Sequence, residues 1–186
     1  MSKVVAITGS PSHPSRTYGL VEYAIQSLQQ QGVQTEILSV RDLPAEELIF
    51  GRYDSPAFDS VKRSVEQADG LIVATPIYKA AYTGVLKTFL DILPQKALVG
   101  KVVLPIATGG TIAHFLSIDY GLKPVLFELG ARQFISTIYA VDKQIQRQED
   151  GSIQLDEEIE QRLKVALADL TEVIKRSPAS KEALHV

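Results

Sequence analysis

Three short stretches hold the residues whose types and spacing can do chemistry. The first is Gly9–Ser10–Pro11–Ser12–His13–Pro14–Ser15–Arg16–Thr17. Its hydroxyls at Ser10, Ser12, Ser15 and Thr17 and the Arg16 guanidinium precede a helical pattern. Free amides at a helix N-terminus, at the positive end of the dipole, bind phosphate. The G-x-G-x-x-G of a dinucleotide loop and the G-x-x-x-x-G-K-[ST] of a triphosphate loop are both absent. A hydroxyl-rich loop of this kind suits a terminal phosphate monoester. The alternative is that the serines serve only as caps and turn formers, and His13 reads as a loop residue.

The second stretch, Thr75–Pro76–Ile77–Tyr78–Lys79–Ala80–Ala81–Tyr82–Thr83–Gly84, follows Gly70–Leu71–Ile72–Val73–Ala74. That apolar run predicts a strand buried on both faces, at the middle of a parallel sheet. In open parallel sheets ligands bind beyond the carboxyl ends of the strands. Pro76 fixes one φ, Tyr78 offers a ring face, and small residues let a flat ligand approach the backbone. The third stretch, Ala107–Thr108–Gly109–Gly110–Thr111, also ends a strand, and its paired glycines allow close approach of the backbone, or simply a tight turn. One crevice would collect all three loops around a planar, phosphorylated ligand. Flavin mononucleotide has that make-up.

The elements that must position these loops are legible from periodicity. Strands are expected at Val4–Thr8, Val33–Val40, Gly70–Ala74, Val102–Thr108 and Phe134–Val141. Pro105, inside the fourth, predicts an irregular hydrogen bond there. Helices are expected from Ser15 to Gln31, stopped by Gly32, and from Pro56 to Ala68 behind a Ser55 cap. Others follow from Gly84 to Leu93, from Ala113 to Leu129 with a break in the middle at Gly121 and Pro124, and over the apolar positions Leu155 to Ile174, with a short turn from Pro44 to Leu48. Asp142 to Ser152 reads as a polar, mobile hairpin or loop. Strands alternating with helices in this way mean an α/β, doubly wound five-stranded parallel sheet with helices on both faces, in the flavodoxin-like order 2-1-3-4-5. The expected organisation is one domain over residues 1–176 and a polar tail over 177–186.

The helix from Ala113 contains Pro124, which cannot donate to the Tyr120 carbonyl. Asp119–Tyr120–Gly121 is therefore expected to hold a kink or a π-bulge. Either the proline merely bends the helix with Tyr120 packed on a neighbour, or the bulge belongs to a functional site. Lys79 and Lys87 read as a cationic pocket or as solvated side chains. Asp69, Asp91 and Asp119 form no acid–base pair, and no acidic cluster after the first strand supports a phosphoryl receiver.

Composition excludes much else. The chain has no cysteine, so disulfides, thiolate metal sites and cysteine nucleophiles fall away. The histidines at 13, 114 and 185 have no metal-ligand spacing. A formal charge of −3 offers no field for nucleic acid, and no apolar run is long enough to cross a membrane. A strand begins almost at once, which predicts no signal peptide and a cytoplasmic protein.

With these residues in view the sequence resembles the NADPH-dependent FMN reductases, and more narrowly the flavin reductases of two-component alkanesulfonate monooxygenase systems. The resemblance runs over about residues 3 to 140. Gly9–Ser10–Pro11 with Pro14–Ser15–Arg16, then Ala68 to Pro76 with Tyr78–Lys79–Ala80–Ala81–Tyr82, carry it in the first half. Ala107 to Thr111 and Asp119–Tyr120 with Leu122 to Leu126 carry it in the second. It implies a flavodoxin-like fold in a homodimer or homotetramer, with FMN and NADPH as cofactors. It implies FMN phosphate at Ser10, Ser12, Ser15, Arg16 and Thr17. It places the isoalloxazine against Pro76, Ile77, Tyr78, Lys79 and Ala80, with Thr108, Gly109, Gly110 and Thr111 on the far side. Tyr120 would be the inserted residue of a π-helix at a subunit interface, governing flavin exchange and assembly. Many relatives carry arginine where this chain has Ser12, which leaves Arg16 as the phosphate's cation.

The activity so implied is hydride transfer from NADPH to N5 of FMN, with no side-chain acid. Amides of Gly109–Gly110 or Tyr78–Ala80 would hold the charge at the N1/O2 edge. The reduced flavin would pass to a partner flavin-dependent monooxygenase in sulfur acquisition. Arg16, Lys79 and Arg52 are the candidate cations for a 2′-phosphate. An enzyme that keeps FMN and reduces quinones, azo dyes or metal oxyanions shares the fold. So does a flavodoxin-type carrier, but carriers are strongly acidic, unlike a chain with 22 acidic and 19 basic residues.

Overall fold

The computed structural model describes residues 2–149 and 151–176. The expected polar tail at 177–186 lies outside the described residues. Strand β1 (Lys3–Thr8) leads through helix α1 (Arg16–Gln30) to β2 (Gln34–Ser39). The short α2 (Ala45–Ile49) and α3 (Asp59–Gln67) follow, then β3 (Gly70–Tyr78), β4 (Ala81–Tyr82) and α4 (Gly84–Ile92). Strand β5 (Val102–Gly109) precedes α5 (Lys123–Glu128), β6 (Gln133–Phe134) and β7 (Ile138–Val141). A hairpin of β8 (Ile145–Arg147) and β9 (Ile153–Leu155) leads to α6 (Glu157–Arg176).

The central sheet is parallel in the order β2-β1-β3-β5, with β6 and β7 completing it side by side along β5. With β6 and β7 as two pieces of one fifth strand, this is the expected 2-1-3-4-5 order. The split has a cause in the sequence. Pairing runs Val103 with Phe134 but Ile106 with Ile138, so the fifth strand carries one extra residue opposite Leu104–Pro105. Pro105 has no N–H to give at that point, and the chain bulges there.

Alternate strand residues feed two apolar layers. Val5, Ile7, Leu71, Val73 and Val103 face α3, with Phe58 just before it, and α4 through Val61, Val65, Leu86 and Phe89. Val4, Ala6, Ile72, Ala74, Leu104 and Ile106 face α1 and α6 through Leu20, Ala24, Leu28, Leu163 and Leu167. Burying each such Leu or Phe contributes about 1.5–3 kcal/mol, which fixes the sheet as a rigid base for its loops.

Three expectations need correction. Thr75 to Tyr78 is not loop but a continuation of β3, paired with β5 as far as Pro76 opposite Thr108. Ladder partners on β5 override the breaker signal of Thr75–Pro76. The hairpin then folds back, Tyr78 pairing with Ala81 across a turn at Lys79 and Ala80. The helix expected from Ala113 to Leu129 breaks where expected, in a π turn Ile118–Leu122 ahead of α5, but its first part is only a 3₁₀ turn, Ile112–His114. Lys123 N donates to the Ile118 carbonyl five residues back, which is the π pattern. Leu155, expected in the last helix, belongs to β9.

Candidate functional site

A cleft of about 160 Å³ opens at the carboxyl ends of β1, β3 and β5. Ser10, Ser12, Ser15, Arg16 and Thr17 form one wall. Pro76, Ile77 and Tyr78 form a second, and Thr108, Gly109 and Gly110 a third. Eleven of the fourteen residues singled out from sequence thus meet in one place, although the loops lie up to a hundred positions apart. Lys79 and Ala80 sit exposed at the hairpin tip, and Thr111 lies just past the third wall; none of these lines the cleft. Lys87 is turned to Asp91 at 2.6 Å and forms no cationic pocket with Lys79. A larger cavity of about 750 Å³ lies at the opposite end of the sheet, around Asp69 and Val102, away from all three loops.

The first wall is built by the start of α1. Ser15 is its N-cap and accepts from Tyr18 N at 3.2 Å. The amides of the first helical residues have no intrahelical partner and remain for an anion. Ser10 and Ser12 hydroxyls lie 3.2 Å apart, the former buried, the latter exposed. Thr17 is brought to the cleft, but its hydroxyl faces Thr108 at 2.6 Å, both side chains being buried. Thr17 and Thr108 therefore tie the first and third loops together, and their hydroxyls are already engaged. Beside this wall a second hollow of about 400 Å³ shares Ser10 and Ser12 and is bounded by Tyr18, Glu22, Arg41 and Asp42. Burial, with Glu22 and Asp42 nearby, pushes the Tyr18 hydroxyl above its ordinary pKa, so it stays protonated.

The second wall ends in a backbone conformation rare for its residues. Lys79 (φ 52°) and Ala80 (φ 63°) are both left-handed, as a tight two-residue hairpin turn demands and as asparagine and glycine normally supply. Tyr78 stands half exposed beside the turn. Tyr82, on the returning strand, packs over the backbone of Gly121 in the π turn, so the hairpin and the π turn touch directly.

The third wall approaches its neighbours closely. A Cβ on Gly109 would lie 2.4 Å from the Tyr139 hydroxyl, so only glycine fits there. That hydroxyl donates to the Thr111 carbonyl at 2.8 Å. Burial, then the charge of Asp142, raises the Tyr139 pKa and keeps it a donor.

Sequence reasoning missed four residues here. Thr75 Oγ1 accepts from Thr83 N at 3.1 Å and donates to the Pro76 carbonyl at 2.9 Å. Thr83 caps α4, accepting from Leu86 N at 3.2 Å, and donates to the Gly9 carbonyl at 2.5 Å. Tyr139 was legible only as a strand residue. Asp142, in the stretch read as a mobile hairpin or loop, lines the cleft and faces Arg16 at 3.9 Å. Thr83 before Gly84 is a cap signal that could have been found; the other three depend on contacts distant in sequence.

The donor set suits FMN. Hydroxyls, helix-start amides and one guanidinium stand at one end of the cleft for a phosphate, and Pro76, Ile77 and Tyr78 offer an apolar and aromatic surface for a flat ring. The family model for NADPH-dependent FMN reductases matches residues 2–146. The FMN reductase (NADPH) of Pseudomonas putida is 48% identical over 176 residues, covering 94% of this chain and 89% of that protein. The FMN reductase (NADPH) of Escherichia coli K12 is 50% identical over 143 residues, covering 77% and 75%. The apo crystal structure of the NADH:FMN oxidoreductase EMOB, 40% identical, matches with a TM-score of 0.84 over 96% of this chain and 92% of that one. On the matched span, and with the motifs converging as they do, this chain belongs to the NADPH-dependent FMN reductase family.

Proposed function

We propose that this chain, a cytoplasmic NAD(P)H-dependent FMN reductase, takes FMN as an exchangeable substrate and hands the reduced flavin to a partner flavin-dependent monooxygenase. Desulfonation of alkanesulfonates for sulfur acquisition is the proposed use. FMN reduction itself follows from family membership. Supporting the finer reading are the narrow resemblance of the loop motifs and the character of the cleft, which offers few charges to hold a phosphate permanently.

FMN, when bound, supplies the hydride acceptor, and NADPH the hydride. The chain's residues bind and orient. Ser10, Ser12, Ser15, Arg16 and the first amides of α1 are proposed to hold the phosphate. Pro76, Ile77 and Tyr78 are proposed to support the ring, with Lys79 and Ala80 contributing backbone at the turn. Thr108, Gly109, Gly110 and Thr111 are proposed to border its other side, where amides hold negative charge at the ring's polar edge. A homodimer or homotetramer is proposed from the exposed apolar residues Ile112, Phe115, Leu116 and Tyr120, the last 80% exposed on the π turn. Light scattering on the purified chain checks that assembly.

The convergence of the three loops on one cleft carries the assignment. Its test is NADPH oxidation under anaerobic conditions with FMN titrated into flavin-free protein. Consumption of many FMN equivalents per chain supports the exchange reading. A rate that saturates at one equivalent and then needs added quinone overturns it in favour of a flavin-retaining reductase.

A further inference from the structure

Of the described residues that line the cleft, Arg16 and Asp142 alone carry charge, and their charges cancel. Asp142 is placed firmly. It opens the 3₁₀ turn Asp142–Gln144 directly after β7, and the turn is held by Gln144 Oε1 accepting from Val141 N at 3.0 Å. Arg16 is the first residue of α1, beyond the Ser15 cap. Their charged groups stand 3.9 Å apart with both side chains about half exposed, at 50% and 49%.

At 3.9 Å there is no hydrogen bond to aim the guanidinium. The carboxylate does not pre-form the planar fork that grips a phosphate. What remains is charge. A phosphate entering at the helix start must share Arg16 with Asp142, and its two negative charges meet a third. Both effects weaken binding, and both act on the phosphate rather than on the ring.

We infer that Asp142 is an affinity-lowering residue: it competes with the FMN phosphate for Arg16 and so keeps the flavin exchangeable. This rests on the proposed seating of the FMN phosphate against α1. Asp142 thereby shifts the flavin toward the behaviour of a substrate and away from that of a fixed group. Among the described lining residues this carboxylate is the sole counter to the one cation.

The test compares FMN with riboflavin, which lacks the phosphate, on wild type, Asp142→Asn, Asp142→Ser and Arg16→Gln. Dissociation constants come from flavin fluorescence and off-rates from stopped flow, with circular dichroism to show that each variant is folded. D142N and D142S are expected to tighten FMN on the order of tenfold and to slow its release in proportion. Riboflavin binding stays unchanged, and the FMN affinity of both variants falls more steeply with salt than that of wild type. During turnover KM for FMN falls, and kcat falls with it where product release limits the rate. If R16Q weakens FMN but neither Asp142 variant tightens it, the role of Asp142 is overturned while the phosphate seat stands. Tightening of FMN and riboflavin alike means loop repacking and also overturns it. If none of the variants separates FMN from riboflavin, the phosphate does not lie at this helix start, and the seating fails together with the inference.

Discussion

Replacing Ala80 by glycine is predicted to stabilise the protein while weakening its hold on FMN. Ala80 occupies the left-handed region at φ 63° on an exposed turn, so no packing is lost. The clash of an L-residue's Cβ in that region costs about 1–2 kcal/mol. Glycine removes this cost but returns about 0.5–1 kcal/mol through the greater freedom of the unfolded chain. The net gain is about 0.5–1 kcal/mol, and in a chain of this length each kcal/mol moves Tm by roughly 2–4 °C. A80G should therefore melt roughly 1–4 °C higher in flavin-free protein. Gly32→Ala is the control. Gly32 has φ 76° with no atom within 4 Å of an added Cβ, so that change should cost about 1 kcal/mol by backbone strain alone. The turn sets the backbone beside Tyr78, so loosening it should raise KM for FMN even as Tm rises. The assays are thermal and urea denaturation followed by circular dichroism, with steady-state kinetics in parallel. Should G32A lose stability as expected while A80G is unchanged or less stable, the turn stores no strain and the reasoning fails.

The buried hydroxyl pair between Thr17 and Thr108 predicts a non-additive cycle. Thr17→Val should cost about 1–3 kcal/mol by orphaning its partner, and the T17V/T108V double should recover much of that in urea denaturation. Gly109→Ala should cost about 1–3 kcal/mol by overpacking against Tyr139. Adding Tyr139→Phe removes the atom 2.4 Å from the new Cβ, so the double should be more stable than G109A in the same assay. Tyr23 donates to Glu160 at 2.6 Å, and burial together with that bond raises its pKa to about 12. A raised folded-state pKa stabilises fully below the unfolded value near 10 and ceases to do so as pH rises through about 12. The stability gap between wild type and Tyr23→Phe should thus be full at pH 8 and close between pH 10 and 12. It should also shrink in acid as Glu160, whose pKa is lowered chiefly by Lys164 and by Tyr23, takes up its proton.

Much of the architecture was legible because it depends on one residue at a time. Strands such as Val4–Val5–Ala6–Ile7 are apolar on both faces, and only a sheet covered on both sides accommodates them. Pro105 and Pro124 announced their irregularities through covalent structure alone: a bulged neighbour strand opposite the first and a π turn before the second. The length of β3 was not legible. Thr75–Pro76 reads locally as a break, yet pairing with Ala107 and Thr108 extends the strand to Tyr78. Asp142 was equally hidden. Its place above Arg16 follows from where β7 ends beside α1, and a polar run without period carries no sign of that.

The least legible feature explains the most about the cleft. Of the seven buried polar residues among those described, Thr8, Ser10, Thr17, Thr75, Thr83 and Thr108 lie at the ends of β1, β3 and β5 or in the segments that follow them. Thr83 ties the first loop to α4 through the Gly9 carbonyl, and Thr75 ties Thr83 to β3. Thr17 and Thr108 join the first loop to the third, and Tyr139 anchors the third to β7. Each bond alone is worth about 1 kcal/mol net. Together they join each wall of the cleft to another through side chains that are out of water, where leaving a partner unpaired is costly. A ligand entering such a cleft meets donors already held in place and spends little of its binding energy on ordering loops. Walls preset in this way would favour long retention of the flavin. On the proposed seating of the phosphate, a single carboxylate set against the one cation among the described lining residues opposes that retention, so Asp142 and the threonines act in opposite directions on the same ligand.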